Sequence, residues 1–231
     1  RGQRCAIHQG HAVTGDGEGA DGCPLIAILD YGIGNLHSAH KGFAHAGADA
    51  RLTADRGLID EAAGVVLPGV GAFGPCMGAL RDTGLDRVAL DVIARGTPFF
   101  GICIGMQLLF SGSDESPGVP GLGVFGRRVV PIPSSVKRPQ MQWNTLDHRV
   151  DRHPMFAGLP DDTWMYFVHS FAATDGDDVI ATCDYGAALP AAVARGDLWA
   201  VQFHPEKSGR NGLRILENFV AAAADRARLG A

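Results

Sequence analysis

The chain has 231 residues, 46% of them apolar and 19% charged, with a formal net charge of −5. Such a composition supports a well-buried core, and without a basic patch nucleic acid is excluded as the main partner. No run of eighteen apolar residues and no signal-peptide core is present, so a soluble cytoplasmic protein with no membrane association is expected.

Five cysteines, Cys5, Cys23, Cys76, Cys103 and Cys183, are widely scattered, with no CxxC pair. An odd count at such spacing argues against a disulfide framework and against a zinc site. The thiols are expected to stay reduced, with no metal and no cofactor. The first 24 residues, RGQRCAIHQGHAVTGDGEGADGCP, are rich in glycine and polar residues and carry no sustained period. A poorly ordered extension or leader is expected there, followed by one domain over residues 25–231.

From Leu25 a regular alternation begins. LIAILD (25–30) is a short apolar strand, followed by the loop YGIGN and a helix from Leu36 to about Ala46. GVVLPGVG (64–71) is a second buried strand, closed by proline and glycine. Helical spacing follows around residues 73–82 and 84–95, where Leu85, Val88, Ala89 and Val92 share a face. PFFGIC (98–103) is a third strand, left through the helix IGMQLLF. Strand, loop and helix repeated in this order predict an α/β sheet with a parallel core.

The second half reads differently. WMYFVHSF (164–171), DVIATCDY (178–185), LPAAVARG (189–196) and LWAVQFHPE (198–206) are short strands separated by turns, which predicts antiparallel or mixed pairing. A closing helix over GRNGLRILENFVAAAADRAR places Leu213, Leu216, Phe219 and Val220 along one side.

The third strand ends in Gly101-Ile102-Cys103-Ile104-Gly105. A small–x–nucleophile–x–small turn between strand and helix has the form of a nucleophile elbow, whose sharp turn leaves no room for flanking side chains. Such a turn exposes the thiol and aims helix N–H groups toward it, favouring a thiolate and a developing oxyanion. A small buried core residue is the other reading of the same cysteine, and both stand at this point. A nucleophile needs a base with an orienting group. His204 and Glu206 in VQFHPEKSG provide that pair, with Pro205 between them fixing the backbone. Among the remaining histidines, His169 in YFVHSF is the rival base.

PFFGICIGMQLLF together with FHPEKS resembles the class I (triad) glutamine amidotransferases. DYGIGNLHS, LPGVGAFGPCM, PQMQWN, YFVHSF and FHPEKSGRNGLRILENF narrow the resemblance to the glutaminase subunits of imidazole glycerol phosphate synthases, over residues 25 to about 220. It implies a three-layer fold, an open, mixed and largely parallel sheet flanked by helices, of flavodoxin-like type. Cys103 is then the nucleophile toward the L-glutamine carboxamide, His204 the proton carrier and Glu206 its orienting carboxylate. The oxyanion is expected at the N–H of Ile104 and at the PGVG strand, where Val70 must turn with the freedom given by Gly69 and Gly71. Gln107, Glu115 and the backbone of His169, Ser170 and Phe171 match the positions that hold glutamine, which makes His169 part of the substrate cradle. The resemblance also implies heterodimer formation with a separate (β/α)8 cyclase subunit of histidine biosynthesis, which receives the ammonia. Asn35, Trp143, Asn144, Tyr166 and Lys207 match its docking positions.

The chain departs from that pattern at Gln142, where the family usually has glycine; a left-handed backbone there would strain it. Another triad amidotransferase glutaminase, a γ-glutamyl hydrolase acting alone and a non-catalytic module remain as alternatives, distinguished by response to the cyclase and by labelling of Cys103.

Overall fold

The computed structural model describes residues 22–148 and 153–230. The expected extension falls almost wholly outside the described residues, and the first strand begins at Leu25. Its first half contains β1 (Leu25–Leu29), α1 (Leu36–His45), β2 (Asp49–Thr53), α2 (Arg56–Glu61) and β3 (Gly64–Leu67). The chain continues through α3 (Phe73–Asp82), α4 (Leu85–Ala94), β4 (Phe99–Ile102) and α5 (Ile104–Leu108). The second half adds β5 (Val129–Pro131), β6 (Gln140–Thr145), β7 (Asp147–His148), β8 (Trp164–His169) and β9 (Phe171–Ala173). It closes with β10 (Val179–Asp184), β11 (Ala188–Arg195), β12 (Leu198–Val201) and α6 (Gly209–Gly230).

The main sheet has the order β2-β1-β3-β4-β12-β11-β10-β7. The stretch from β2 to β12 is parallel and the far edge, from β12 to β7, is antiparallel. This is the open, largely parallel α/β sheet expected. Every residue of β1, β3, β4 and β12 is buried, as strands covered by helices on both faces must be. On one side α1 and α6 pack together, and α3 and α4 pair on the other. Phe43 of α1, Phe100 of β4 and Phe219 of α6 meet with ring centroids 5.1 to 6.3 Å apart, with Trp199 of β12 beside Phe219. This aromatic cluster fixes the helix pair against the strand that ends in Cys103.

WMYFVHSF does form a strand, but outside the main sheet: β8 pairs antiparallel with β6 as a separate ribbon. Gln142 lies within β6, and Cys103 is the one non-glycine residue with positive φ among the described residues. The strain considered at Gln142 is therefore absent. The expectation that every thiol stays reduced fails at Cys23, which is disulfide-bonded, whereas Cys76, Cys103 and Cys183 are free. Residue count and spacing constrain pairing only weakly.

Candidate active site

Three adjacent parallel strands deliver the site from their C-terminal ends, where open α/β sheets bind ligands. Pro68–Gly71 follow β3, Cys103 follows β4, and His204 follows β12 by three residues. Cys103 has φ 55° and ψ −111° and caps the N-terminus of α5, a conformation that costs a non-glycine residue about 1–3 kcal/mol. Its flanking glycines are required by space. A Cβ on Gly105 would lie 1.8 Å from the Leu67 carbonyl oxygen, and one on Gly101 would meet the Gly105 carbonyl at 3.0 Å. The elbow is therefore held by close approach of α5 to the ends of β3 and β4.

The PGVG segment is clamped from both sides. Tyr31 donates its hydroxyl to the Pro68 carbonyl at 2.7 Å, and the Cys76 thiol donates to the Val70 carbonyl at 3.4 Å. Burial pushes the Tyr31 phenol well up, so it stays a donor at any physiological pH. Gly71 has φ +101° with open space around it, a left-handed turn that glycine makes without strain. Gly69 serves differently: a Cβ there would meet Tyr31 Oη at 2.8 Å and Gly105 N at 3.1 Å. Its small size, more than its freedom, is what the fold uses.

His204 Nδ1 and Glu206 Oε1 are 2.8 Å apart, with both side chains buried. Burial by itself lowers the His204 pKa; the Cys103 and Glu206 side chains outweigh it and hold the imidazole raised. His204 Nε2 is buried without a hydrogen-bond partner, and catalytic hydrogen bonds are often loose before substrate binds. Ser208 fixes the backbone of this segment, donating to the His204 carbonyl at 2.6 Å and accepting from Tyr166 N–H at 3.0 Å.

A cavity of about 260 Å³ lies in front of this pair, lined by Val70, Gly71, Cys103, Ile104, Gln107, Glu115, His169, Ser170, Phe171 and His204, with Pro139 and Val168. The fold thus brings together all the nucleophile, oxyanion and cradle residues expected from the sequence; Glu206 stands behind His204. Glu115 is no solvated loop charge: its carboxylate accepts the Phe73 N–H at 2.8 Å, at the start of α3. Gln107 is buried and donates Nε2 to the Phe171 carbonyl at 3.0 Å and to Gln202 Oε1 at 2.9 Å. Gln202, two residues before His204, is also buried and was not anticipated, nor was Tyr31. Side-chain alternation along the end of β12 would have placed Gln202 on the side of His204.

His169 Nδ1 donates to the Phe171 carbonyl at 2.8 Å. Burial pushes the ring down to about 4, with the neighbouring His204 adding to the shift and that hydrogen bond opposing it. No carboxylate orients it, so of the two histidines lining the cavity it is the less suited to act as a base. Unfolded, His169 takes up a proton near pH 6.5; folded, it resists until about 4. The unfolded state binds more protons between those values, so stability is fully present above pH 6.5 and falls toward pH 4, by about 3 kcal/mol. Urea titrations at pH 7 and 4.5 are expected to show a smaller acid loss for His169→Gln than for the unaltered protein. An equal loss would place the acid sensitivity elsewhere.

Of the docking positions, Trp143 is 47% exposed and stacks edge-on against Tyr166 at 6.0 Å. Met141 and Trp164 lie on the same ribbon at 64% and 49% exposure. Three of the five exposed large apolar residues among the described residues therefore share one two-stranded ribbon. Asn144 follows Trp143 on the opposite face, where it donates to the Asp184 carbonyl at 2.8 Å. Asn35 precedes α1 without capping it through its side chain, and Lys207 is exposed just after Glu206. Among the described residues, no helix is long and apolar enough to cross a membrane.

The family profile for class-I glutamine amidotransferase matches residues 27–223. The imidazole glycerol phosphate synthase subunit HisH of Methanothermobacter thermautotrophicus is 47% identical over 197 residues, covering 85% of this chain and 98% of that protein. The same subunit of Symbiobacterium thermophilum is 44% identical over 203 residues, covering 87% and 95%. Among solved structures, PurLQS from Thermotoga maritima superposes with a TM-score of 0.70 at 19% identity, over 87% of this chain and 99% of that one. A putative GMP synthase subunit from Thermoplasma acidophilum gives 0.67 at 20% identity, covering 89% and 96%. These two structures share the fold. The chain belongs to the class-I glutamine amidotransferases and, among them, to the family of the imidazole glycerol phosphate synthase subunit HisH.

Proposed function

We propose that this chain is the glutaminase subunit of an imidazole glycerol phosphate synthase, hydrolysing L-glutamine with a Cys103–His204–Glu206 triad. The observation that carries the reading is the buried 2.8 Å His204–Glu206 pair beside a strained cysteine at the mouth of one cavity. Cys103 Sγ attacks the carboxamide carbon, and the oxyanion is received by the N–H groups of Ile104 and Val70. His204 gives its proton to the leaving ammonia, leaving a thioester. It then takes a proton from water as water attacks, and glutamate departs. Glu206 holds the imidazole tautomer throughout and stabilises its charged form. Gln107, Glu115 and the His169–Phe171 backbone hold the amino-acid end of glutamine.

Ammonia is largely protonated in neutral water and then no longer a nucleophile, so release into solvent wastes it. A separate (β/α)8 cyclase subunit takes it directly, forming imidazole glycerol phosphate and aminoimidazole carboxamide ribonucleotide. Support for the docking face comes from Met141, Trp143 and Trp164, since aromatic residues and methionine are enriched at protein interfaces. Tyr166 links that face to the triad: its ring lies against Trp143, while its carbonyl accepts the His204 N–H at 3.0 Å.

A glutamine analogue with an electrophilic side chain tests the reading. Mass spectrometry is expected to find one adduct, on Cys103, blocked by excess glutamine. An unlabelled Cys103 in the presence of the cyclase would contradict it.

A further inference from the structure

We infer that Gln202 is a positioning residue that fixes a hydrogen-bond donor on the nucleophile and ties it to the substrate cradle. The inference rests on Cys103 being the nucleophile. It follows from the polarity of one continuous chain of contacts, beginning at a backbone carbonyl.

The Phe171 carbonyl is an acceptor and nothing else, so Gln107 must turn its NH2 toward it, at 3.0 Å. The same NH2 lies 2.9 Å from the Gln202 amide, which must therefore present its oxygen. With Oε1 committed to Gln107, the Gln202 Nε2 is left on the other side, 3.9 Å from Cys103 Sγ. The orientation of an amide is ordinarily ambiguous; here the carbonyl at one end determines each amide in turn. A donor faces the sulfur because no other arrangement satisfies the chain.

Both glutamines are buried, at 1% and 0% exposure, so neither is placed there by solvent. A neutral thiol gains little from a donor at 3.9 Å. A thiolate draws it in, since hydrogen bonds to ionised groups are shorter and stronger. Gln202 thus has two separable jobs. Its NH2 stabilises the thiolate, and its oxygen holds Gln107 in a fixed orientation in the wall of the cavity, where glutamine would lie.

Gln202→Glu separates the two. The carboxylate still accepts from Gln107 but offers no donor to the sulfur. Gln202→Met removes both functions. The readout is the pH profile of Cys103 alkylation by iodoacetamide, followed on the Cys103 peptide by mass spectrometry without glutamine turnover. It is therefore independent of whether the glutaminase reading holds. For Gln202→Met, which adds no charge, the midpoint is expected to rise, with alkylation at neutral pH about ten- to hundredfold slower; Gln202→Glu is expected to exceed this, since its carboxylate adds like-charge repulsion to the lost donor. The KM for glutamine, measured with cyclase present, is expected to stay within about twofold in Gln202→Glu and to rise clearly in Gln202→Met. Should the carboxylate prevent folding, the Gln202→Met profile carries the same alkylation test. A profile coinciding with that of the unaltered protein would reduce Gln202 to packing and overturn the inference.

Discussion

Cys103→Ala is expected to lower glutamine hydrolysis by about 10⁴-fold or more, and Cys103→Gly to do the same while leaving a more stable protein. Cys103 sits at φ 55°, ψ −111°, and an alanine keeps both the Cβ and its clash. Glycine removes it, worth about 1–2 kcal/mol at such a position. Urea denaturation of the two variants, with glutamate release assayed in the presence of the cyclase, checks both halves. A glycine variant no more stable than the alanine variant would mean that the elbow is relaxed. Residual hydrolysis near that of the unaltered protein would remove Cys103 from the chemistry.

Gly105→Ala is expected to be the most damaging single methyl group in the site. Its Cβ would fall 1.8 Å from the Leu67 oxygen and 2.8 Å from the Leu67 carbonyl carbon. Both are backbone atoms of a buried central strand, and neither yields without moving β3 or α5. A cost of about 4 kcal/mol or more is expected, seen as a large fall in Tm or as insoluble protein. Gly71→Ala is the control: it meets open space at φ +101° and carries only backbone strain, about 1–3 kcal/mol. Equal stability of Gly105→Ala and the unaltered protein would show that helix and strand are not in contact there.

These contrasts also indicate what was legible in the amino-acid order. β1, β3 and β4 announce themselves because strands buried on both faces need unbroken apolar runs. β2 does not: Asp49–Thr53 is an edge strand of mixed, half-buried residues, and no period separates it from a loop. β6 carries the QMQWN motif, yet its polar and outward-facing residues conceal a strand. Once the strand is known, alternation requires Trp143 and Asn144 to face opposite ways, which motif matching alone does not provide. The elbow could be read from spacing because both glycines are steric necessities. Gln202 could not, since its meaning depends on amide contacts with Gln107, 95 positions away. Glu115 is intermediate: its place in the cradle came from family spacing, and its bond to Phe73 N–H is a tertiary fact.

The measurement that most directly tests the account is glutamate formation from glutamine by the purified chain. It is run alone, with the histidine-pathway cyclase, and with cyclase carrying a ligand in its own site. Activity that rises mainly with the liganded partner, and is absent in Cys103→Ala under every condition, is the expected result. Equal activity with and without the partner would leave a triad hydrolase and contradict the synthase assignment.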